Sequence, residues 1–400
     1  MFAKLVAPWA GALLLIAWPV QAQTLNQALE QAWSRHPGAA SAVHARTAAQ
    51  SQAEMANGLT PGPASLSLST LDDQLGANRG KREWELEVET PLWLPGQRSA
   101  AQAQAQAAQT EFEAQQLALR LQLAGDVRDA WWAVAEARSN LALLSGRNQA
   151  SLALVQDVER RVRAGDLARV DLNLARIEQL SIQSELDGAQ ATLQQAEQSY
   201  LVLTGEAPPT QLPPEPVAST ESAAQAHPEV KAAAAGAVTA QTKLALAEKS
   251  PRDAPTLALR VVRDRADFAD SYADAIGVKL TIPLSWGARV RQDIDSNRAL
   301  LAQAEADYQQ TLRRTHTAGE TGRRALASSQ RQLELAQRRA ALAQDNLTLV
   351  EKSFALGESD LPSLLKARTA HFDAQAQAQH QQIKVHAAVS RFNQSLGVLP

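Results

Sequence analysis

The chain has 400 residues, a formal net charge of −3 and no cysteine. The absence of cysteine excludes a disulfide framework, a thiolate metal site and a lipid-modified N-terminal cysteine. A nearly balanced charge argues against nucleic acid as a partner, and the length alone would suggest two or three domains.

The first 22 residues have the pattern of a secretory signal peptide. Lys4 precedes an apolar stretch that reaches Trp18, and Val20-Gln21-Ala22 forms a small-residue cleavage site before Gln23. A membrane anchor is the alternative, but the apolar stretch is short and is followed directly by Pro19. We therefore expect residues 1–22 to be removed and the mature chain to contain no transmembrane helix.

Two short helices are predicted next. The first runs from Thr24 to His36, with Thr24 as its N-cap, and ends at Pro37. The second is rich in alanine, runs from Ala39 to Asn57 and is ended by the sequence GLTPGP.

Four later segments change to a two-residue alternation of apolar and polar side chains, which predicts β-strands. Their length of about 8 to 11 residues would span a bilayer at a steep tilt. A soluble sheet with one packed face would show the same alternation, so this pattern alone leaves both interpretations open. The four predicted strands are 64–71, 83–92, 256–262 and 274–284.

A long helix is predicted from Gly96 to about Arg163, because the segment is built from strong helix formers and contains no proline. A helix of roughly 68 residues would extend about 100 Å, which is too long for the interior of a globule. Gly165 provides the reversal point, and a return helix from about Leu167 to Leu203 completes an antiparallel helical hairpin.

The second half of the chain repeats this plan at an offset of 191 or 192 residues, which indicates an internal duplication. The matched landmarks are His36-Pro37 with His227-Pro228, Pro91 with Pro283, Gly96 with Gly287, Gly165 with Gly357, Arg176 with Arg368, and Gly205 with Gly397.

The duplication divides the chain into two structural repeats, 23–205 and 223–400, joined by a proline-rich segment at 206–222 that we expect to be an extended linker. The helices predicted in the second repeat are 229–249, a long helix from 287 to about 355, and a return helix that ends at Leu396.

Four strands cannot form a closed barrel alone. An open sheet edge in hydrocarbon leaves backbone groups unpaired at a cost of several kcal/mol each, so a membrane-embedded sheet must close. Two chains would give eight strands with a filled interior, whereas three would give twelve strands and room for a pore. A homotrimer therefore follows if the protein is a channel.

The order of helix, helix, strand hairpin, long helix, glycine reversal and return helix, repeated twice, resembles the TolC family of outer-membrane efflux proteins. The resemblance covers essentially all of the mature chain. It implies a mostly α fold with a small β part, in which a trimeric 12-stranded barrel continues into an α-helical periplasmic tunnel. It also implies the outer membrane of a Gram-negative bacterium, a periplasmic adaptor (membrane fusion protein) and an inner-membrane pump of RND type. The sequences PLWLPGQR and GESDLPSLLKAR are most similar to the branch that exports cobalt, zinc and cadmium, or copper.

The resemblance also assigns roles to the two glycine reversals. They would be the tips on which the adaptor docks, formed by Ala164, Gly165, Asp166 and Leu167 and by Leu356, Gly357, Glu358 and Ser359. The gate region at the periplasmic end would contain Asp171, Phe354, Ser363 and Lys366. Family members bond a tyrosine to an aspartate here and carry an acidic ring. Phe354 lacks the hydroxyl for that bond, and Ser363 and Lys366 are not acidic.

A row of glutamates alternates with apolar residues in the second predicted strand. If Trp84, Leu86 and Val88 face lipid, the glutamates face a pore, because a carboxylate in the acyl region is costly. Arg260 and Lys279 would offset part of their charge, and the alternative is a generic wetted wall. The predicted pore-lining residues are Glu83, Glu85, Glu87, Glu89, Arg260 and Lys279.

Three tryptophans suit an interfacial aromatic girdle: Trp84, Trp93 and Trp286. Trp93 and Trp286 lie where a strand meets a long helix, so core packing at that junction is the alternative for both.

The sequence contains no phosphate loop, no His-Glu-x-x-His and no Gly-x-Ser-x-Gly, so we expect neither an enzyme nor a resident cofactor or metal. Solvated helix positions are expected for the histidines, since no two form an i, i+4 pair with a carboxylate partner. The seven histidines are His36, His44, His227, His316, His371, His380 and His386.

These observations predict a passive outer-membrane exit duct of a tripartite efflux system that carries metal cations. A duct for multidrug efflux or type I protein secretion is one alternative. A soluble periplasmic coiled-coil adaptor or scaffold is another, because its helices would look alike.

Overall fold

The computed structural model describes residues 24–219, 227–284 and 287–400. The predicted signal peptide, residues 220–222 of the linker and Trp286 lie outside these ranges. None of the described helices is long and apolar enough to cross a membrane. In chain order the described elements are α1 (Leu25–Arg35), α2 (Pro37–Asn57), β1 (Ser65–Asp72), β2 (Arg82–Pro91), α3 (Gln97–Ala164), α4 (Arg169–Thr204), α5 (Pro228–Glu248), β3 (Thr256–Arg265), β4 (Ala273–Thr281), α6 (Ala288–Ala355) and α7 (Leu361–Ser395).

Side-chain caps begin α1, α2 and α5, whereas α3 and α6 begin at Gly96 and Gly287 without one. Thr24 and Gln27 form a reciprocal capping box at the start of α1. His36 then separates α1 from α2, and its Nδ1 accepts a hydrogen bond of 3.0 Å from the Gly38 amide. His227 makes the same bond at the start of α5, where Nδ1 accepts from the Glu229 amide at 3.2 Å. These two histidines are therefore helix caps, and the expectation of solvated positions is wrong for them.

The four strands form one antiparallel sheet in the order β1-β2-β3-β4, with β1 and β4 at its edges. The register places two complete apolar rows on one face, and their eight side chains are 42–77% exposed. β4 ends at Thr281, three residues before the predicted end, because Pro283 has no amide proton for the ladder. The two rows are Leu66, Val88, Leu259 and Val278, and Leu68, Leu86, Val261 and Ile276.

The two long hairpins lie side by side. Towards the tips, α3 packs against α4 and α7, and α7 packs against α6, so that the order there is α4-α3-α7-α6. Towards the sheet, α5 packs between α3 and α6, α2 packs against α3, and α1 covers α3 and α4. The first repeat therefore ends at α4 and β1, and the second at α6 and β4.

The duplication extends to individual contacts. α3 and α6 each contain 68 residues. Arg176 on the first return helix lies 3.6 Å from Glu159, and Arg368 on the second lies 3.0 Å from Glu351. The internal duplication predicted from the landmarks is thus present in the fold.

A core at the middle of the helical layer joins α1, α3 and α4. Leu29, Val127, Trp131 and Tyr200 are almost completely buried there. Burial raises the pKa of the Tyr200 phenol to about 12. On the neighbouring face, the His386 imidazole stacks on Trp132 at 5.7 Å, and burial lowers the pKa of His386.

The proline-rich segment between the repeats packs against the helices. Residues 206–219 contain no helix or strand, but Glu215 accepts a two-pronged bond from Arg128, whose side chain is 2% exposed, at 2.9 Å. Arg128 also donates to the Val398 carbonyl at 3.0 Å. Asn393 bonds both the Pro216 carbonyl and the Ala218 amide at 2.9 Å. The described part of the predicted linker is therefore fixed against the helices.

We expect Arg128→Ala to lower the free energy of unfolding by about 3–5 kcal/mol, because it leaves the Glu215 carboxylate buried without its partner. Denaturant unfolding followed by circular dichroism measures this. The matched control is Arg391→Ala, since Arg391 and Asp129 form a pair at 3.5 Å with side chains that are 74% and 67% exposed. Its loss should cost about 0–1 kcal/mol, and equal losses in the two variants would contradict the role assigned to Arg128.

Candidate functional site

The two helical tips have the same backbone structure. Gly165 and Gly357 have φ of 88° and 78°, a left-handed conformation that costs other L-residues about 1–2 kcal/mol. The Asp166 amide donates to the Arg161 carbonyl and the Glu358 amide donates to the Ser353 carbonyl, both at 2.9 Å. Each tip is thus a Schellman motif. Three residues at each tip are exposed, whereas Leu167 and Ser359 are half-buried.

The return helices start from these tips with complementary caps. In the first repeat, the Asp171 carboxylate accepts from the Ala168 amide at 3.1 Å. In the second, the Asp360 carboxylate accepts from the Ser363 amide at 3.0 Å, and hydrogen bonds from the Ser363 side chain and amide hold the pKa of Asp360 below its usual value. Asp171 and Ser363 occupy the equivalent third helical position in α4 and α7, so both predicted gate residues have a local part in starting a helix.

Phe354 links the two hairpins next to the tips. It is 6% exposed and packs with Leu154, Val158 and Leu361. The guanidinium carbon of Arg161, from the last turn of α3, lies 5.0 Å from the centre of its ring. Phe354 therefore joins the hairpins by apolar packing and a cation–π contact. Lys366, in the second turn of α7, is exposed.

The predicted pore residues share the face of the sheet opposite the apolar rows. Lys279 Nζ lies 3.0 Å from a Glu87 carboxylate oxygen, and Arg260 lies 3.6 Å from Glu85. Lys279 reaches Glu87 across the short side chain of Ala258 on β3. Glu83 and Glu89 form no ion pair among the described residues, so the polar face retains negative charge.

The tryptophans differ in their surroundings. Trp84 is exposed on the same face of the sheet as the two apolar rows, in the adjacent row of the register. Trp93 is half-buried, and its indole N–H donates to the Gly58 carbonyl at 3.2 Å. It therefore packs at the junction of strands and helices, the alternative to a girdle position.

A groove of about 740 Å³ lies between α3, α4 and α7. Within it, His380 Nδ1 on α7 lies 2.8 Å from Glu136 Oε1 on α3. The two residues belong to different repeats, so their spacing in the sequence gives no sign of the contact. Within the described ranges, no three His, Cys, Asp or Glu side chains are grouped as a metal centre.

Three solved structures share this fold: an outer-membrane protein, a protein that forms a transmembrane channel, and an outer-membrane channel. VceC of Vibrio cholerae has a TM-score of 0.75 at 19% identity, over 94% of this chain and 96% of its own. CusC has a TM-score of 0.78 at 16% identity, over 94% of this chain and 93% of its own. MtrE of Neisseria gonorrhoeae has a TM-score of 0.74 at 15% identity, over 94% of this chain and 89% of its own. The chain has the fold of the TolC family of outer-membrane efflux channels. The fold predicted from the sequence is thus confirmed.

Sequence comparison gives a partial match beside this TolC-type fold. No protein-family model matches the chain. The cobalt-zinc-cadmium resistance protein CzcC of Cupriavidus metallidurans is 27% identical over 207 residues, which are 50% of this chain and 49% of CzcC. The match therefore spans about half the length of each protein.

Phe354→Ala should loosen the TolC-type tips, because removing a buried phenylalanine costs about 3–5 kcal/mol. Hydrogen exchange should become faster in the last turns of α3 and α6 and in both tips, with little change near Trp131. Phe354→Leu preserves most of the packing and should remain close to the parent. Unchanged exchange at the tips of Phe354→Ala would show that this ring does not join the hairpins.

Proposed function

We propose that the protein is a passive exit duct for metal cations in the outer membrane of a Gram-negative bacterium. It would work as a homotrimer, with a 12-stranded barrel in the membrane and a helical tunnel in the periplasm. The observation that carries this proposal is a sheet with two complete apolar rows on its exposed face and two open edges, in line with two open helix edges.

The edges explain why several copies are needed. β1 and α4 lie at one side of the chain, and β4 and α6 lie at the other. A head-to-tail contact would pair β4 with β1 of the next copy and place α6 against its α4. Such a heterologous contact closes into a ring when the rotation fits, and twelve strands leave room for a pore.

Exposed apolar side chains near the tips support the same contact. On α6, Leu335, Leu342 and Leu349 are exposed at a spacing of seven residues, which is one stripe of a coiled coil. On α4, Val170 and Ile177 are exposed with the same spacing. The two stripes overlap in their distance from the tips, so one would partly cover the other in a ring.

The energy for transport would come from a partner of the proposed duct. The duct would use no energy source of its own, so an inner-membrane pump of RND type would drive transport through a periplasmic adaptor docked on the Gly165 and Gly357 tips. The partial similarity to CzcC supports metal cations as the cargo. The unpaired Glu83 and Glu89 of the polar face would favour cations in the barrel.

We expect the purified protein to form channels in planar bilayers that prefer cations. Lys279→Gln should increase the preference because it frees Glu87, whereas Glu83→Gln with Glu89→Gln should decrease it. Reversal potentials in a salt gradient measure both changes. Leu259→Ile, on the apolar face, is the control and should leave selectivity unchanged. Equal selectivity in all four proteins would defeat the pore assignment, and a protein that never inserts would defeat the duct itself.

Deleting the gene should make the host more sensitive to cobalt, zinc or cadmium, since the periplasmic metal would lose its exit. Minimum inhibitory concentrations for these metals and for a panel of hydrophobic drugs measure the cargo class. The wild-type gene should restore resistance. Drug sensitivity without metal sensitivity would replace the metal cargo with multidrug efflux.

A further inference from the structure

The groove between α3, α4 and α7 is open at the middle of the helical layer. Ala130, Ala133 and Ala137 of α3 form its floor, because their short side chains leave space between the neighbouring helices. Ala133 and Ala137 lie outside the core that Val127, Trp131 and Val134 form beneath α1, and Ala130 packs against the edge of that core. The groove therefore remains accessible although α1 covers the helix beside it.

One imidazole in this groove is held in a defined orientation. His380 Nδ1 lies 2.8 Å from Glu136 Oε1, with side chains that are 34% and 52% exposed. A carboxylate at this distance accepts a hydrogen bond from Nδ1, which leaves the lone pair of neutral imidazole on Nε2. Nε2 has no hydrogen-bond partner among the described residues.

This arrangement is the one in which histidine binds metal ions in proteins. The ring nitrogen that does not ligate usually donates to a carboxylate, which fixes the ring and raises its basicity. Gln377 stands one turn before His380 and Asp373 two turns before it, and both line the same groove. They add an amide oxygen and a negative charge to the surroundings of the ring.

We propose that His380 Nε2 is a transient binding point for divalent cations of borderline softness, such as Zn²⁺ and Co²⁺, with Glu136 as its positioning residue. The proposal deepens the proposed function, on which it rests, by naming a contact for the cargo within the tunnel. One imidazole completed by water binds such ions weakly. A conduit needs weak sites, because an ion that enters must also leave.

The test uses the full-length trimer in detergent, titrated with CoCl₂ by visible absorption and with ZnCl₂ by calorimetry. We expect one site per protomer, with imidazole selecting Zn²⁺ and Co²⁺ over Mg²⁺. His380→Gln should abolish the site, and Glu136→Gln should weaken it by about 10–100-fold. His316→Gln is the matched control, because His316 is exposed on α6 and does not line the groove.

Circular dichroism melting establishes whether each variant is folded. If His380→Gln does not fold, the comparison of the parent with Glu136→Gln tests the site instead. Equal binding by the parent and by His380→Gln, or no binding by the parent, would reduce the pair to an interhelical ion pair and overturn the inference. Bilayer conductance of the same samples separates the two proposals. A protein that conducts without binding metal retains the duct and loses this site, whereas a protein that forms no channel loses the duct.

Discussion

The two open edges of the sheet are the constraint on which the rest of this structure depends. The outward backbone groups of β1 and β4 have no partner strand among the described residues, and the face between them exposes two complete apolar rows. Water could satisfy the edge, and lipid could cover the face, but one environment cannot do both for a single chain. Copies joined edge to edge in a membrane remove the conflict, and the internal duplication places a strand edge and a helix edge together at each side of the chain.

The helical layer has the opposite problem, because helices of 68 residues cannot be enclosed by one chain. The structure fixes them at two levels. In the middle, the buried Arg128–Glu215 pair and Asn393 hold the connecting segment against α3 and α7. Next to the tips, Phe354 and Arg161 join the hairpins. Between these levels, the cluster of Leu144, Leu186 and Ala189 and the mostly buried Arg147, paired with Glu178 at 2.8 Å, hold α3 against α4.

Local signals in the sequence predicted most of the fold. Absence of proline, glycine reversals and a change from helical to two-residue periodicity located every described helix and strand within a few residues. The error at the end of β4 came from following apolar alternation past Pro283, which cannot donate to the ladder. The long-range contacts could not be predicted. Arg128 and Glu215, or Glu136 and His380, are joined only by the packing of distant segments, and nothing in the composition around either partner marks it. The helix caps at His36 and His227 are local, since each Nδ1 accepts from the amide two residues further on, and the repeated His-Pro sequence was the signal for them.

The charges along the proposed path illustrate how such a duct would conduct without holding its cargo. Two of the four β2 glutamates are paired with Arg260 on β3 and Lys279 on β4, so the proposed pore wall would attract cations through the other two. Tight binding would slow the release of the cation, since every 1.4 kcal/mol of binding free energy is a tenfold change in the equilibrium constant. A passive path works best when each contact with the cargo is weak. In the proposed duct the contacts would be weak because two of the glutamates are paired with basic side chains, and because His380 would offer a single imidazole held by one carboxylate.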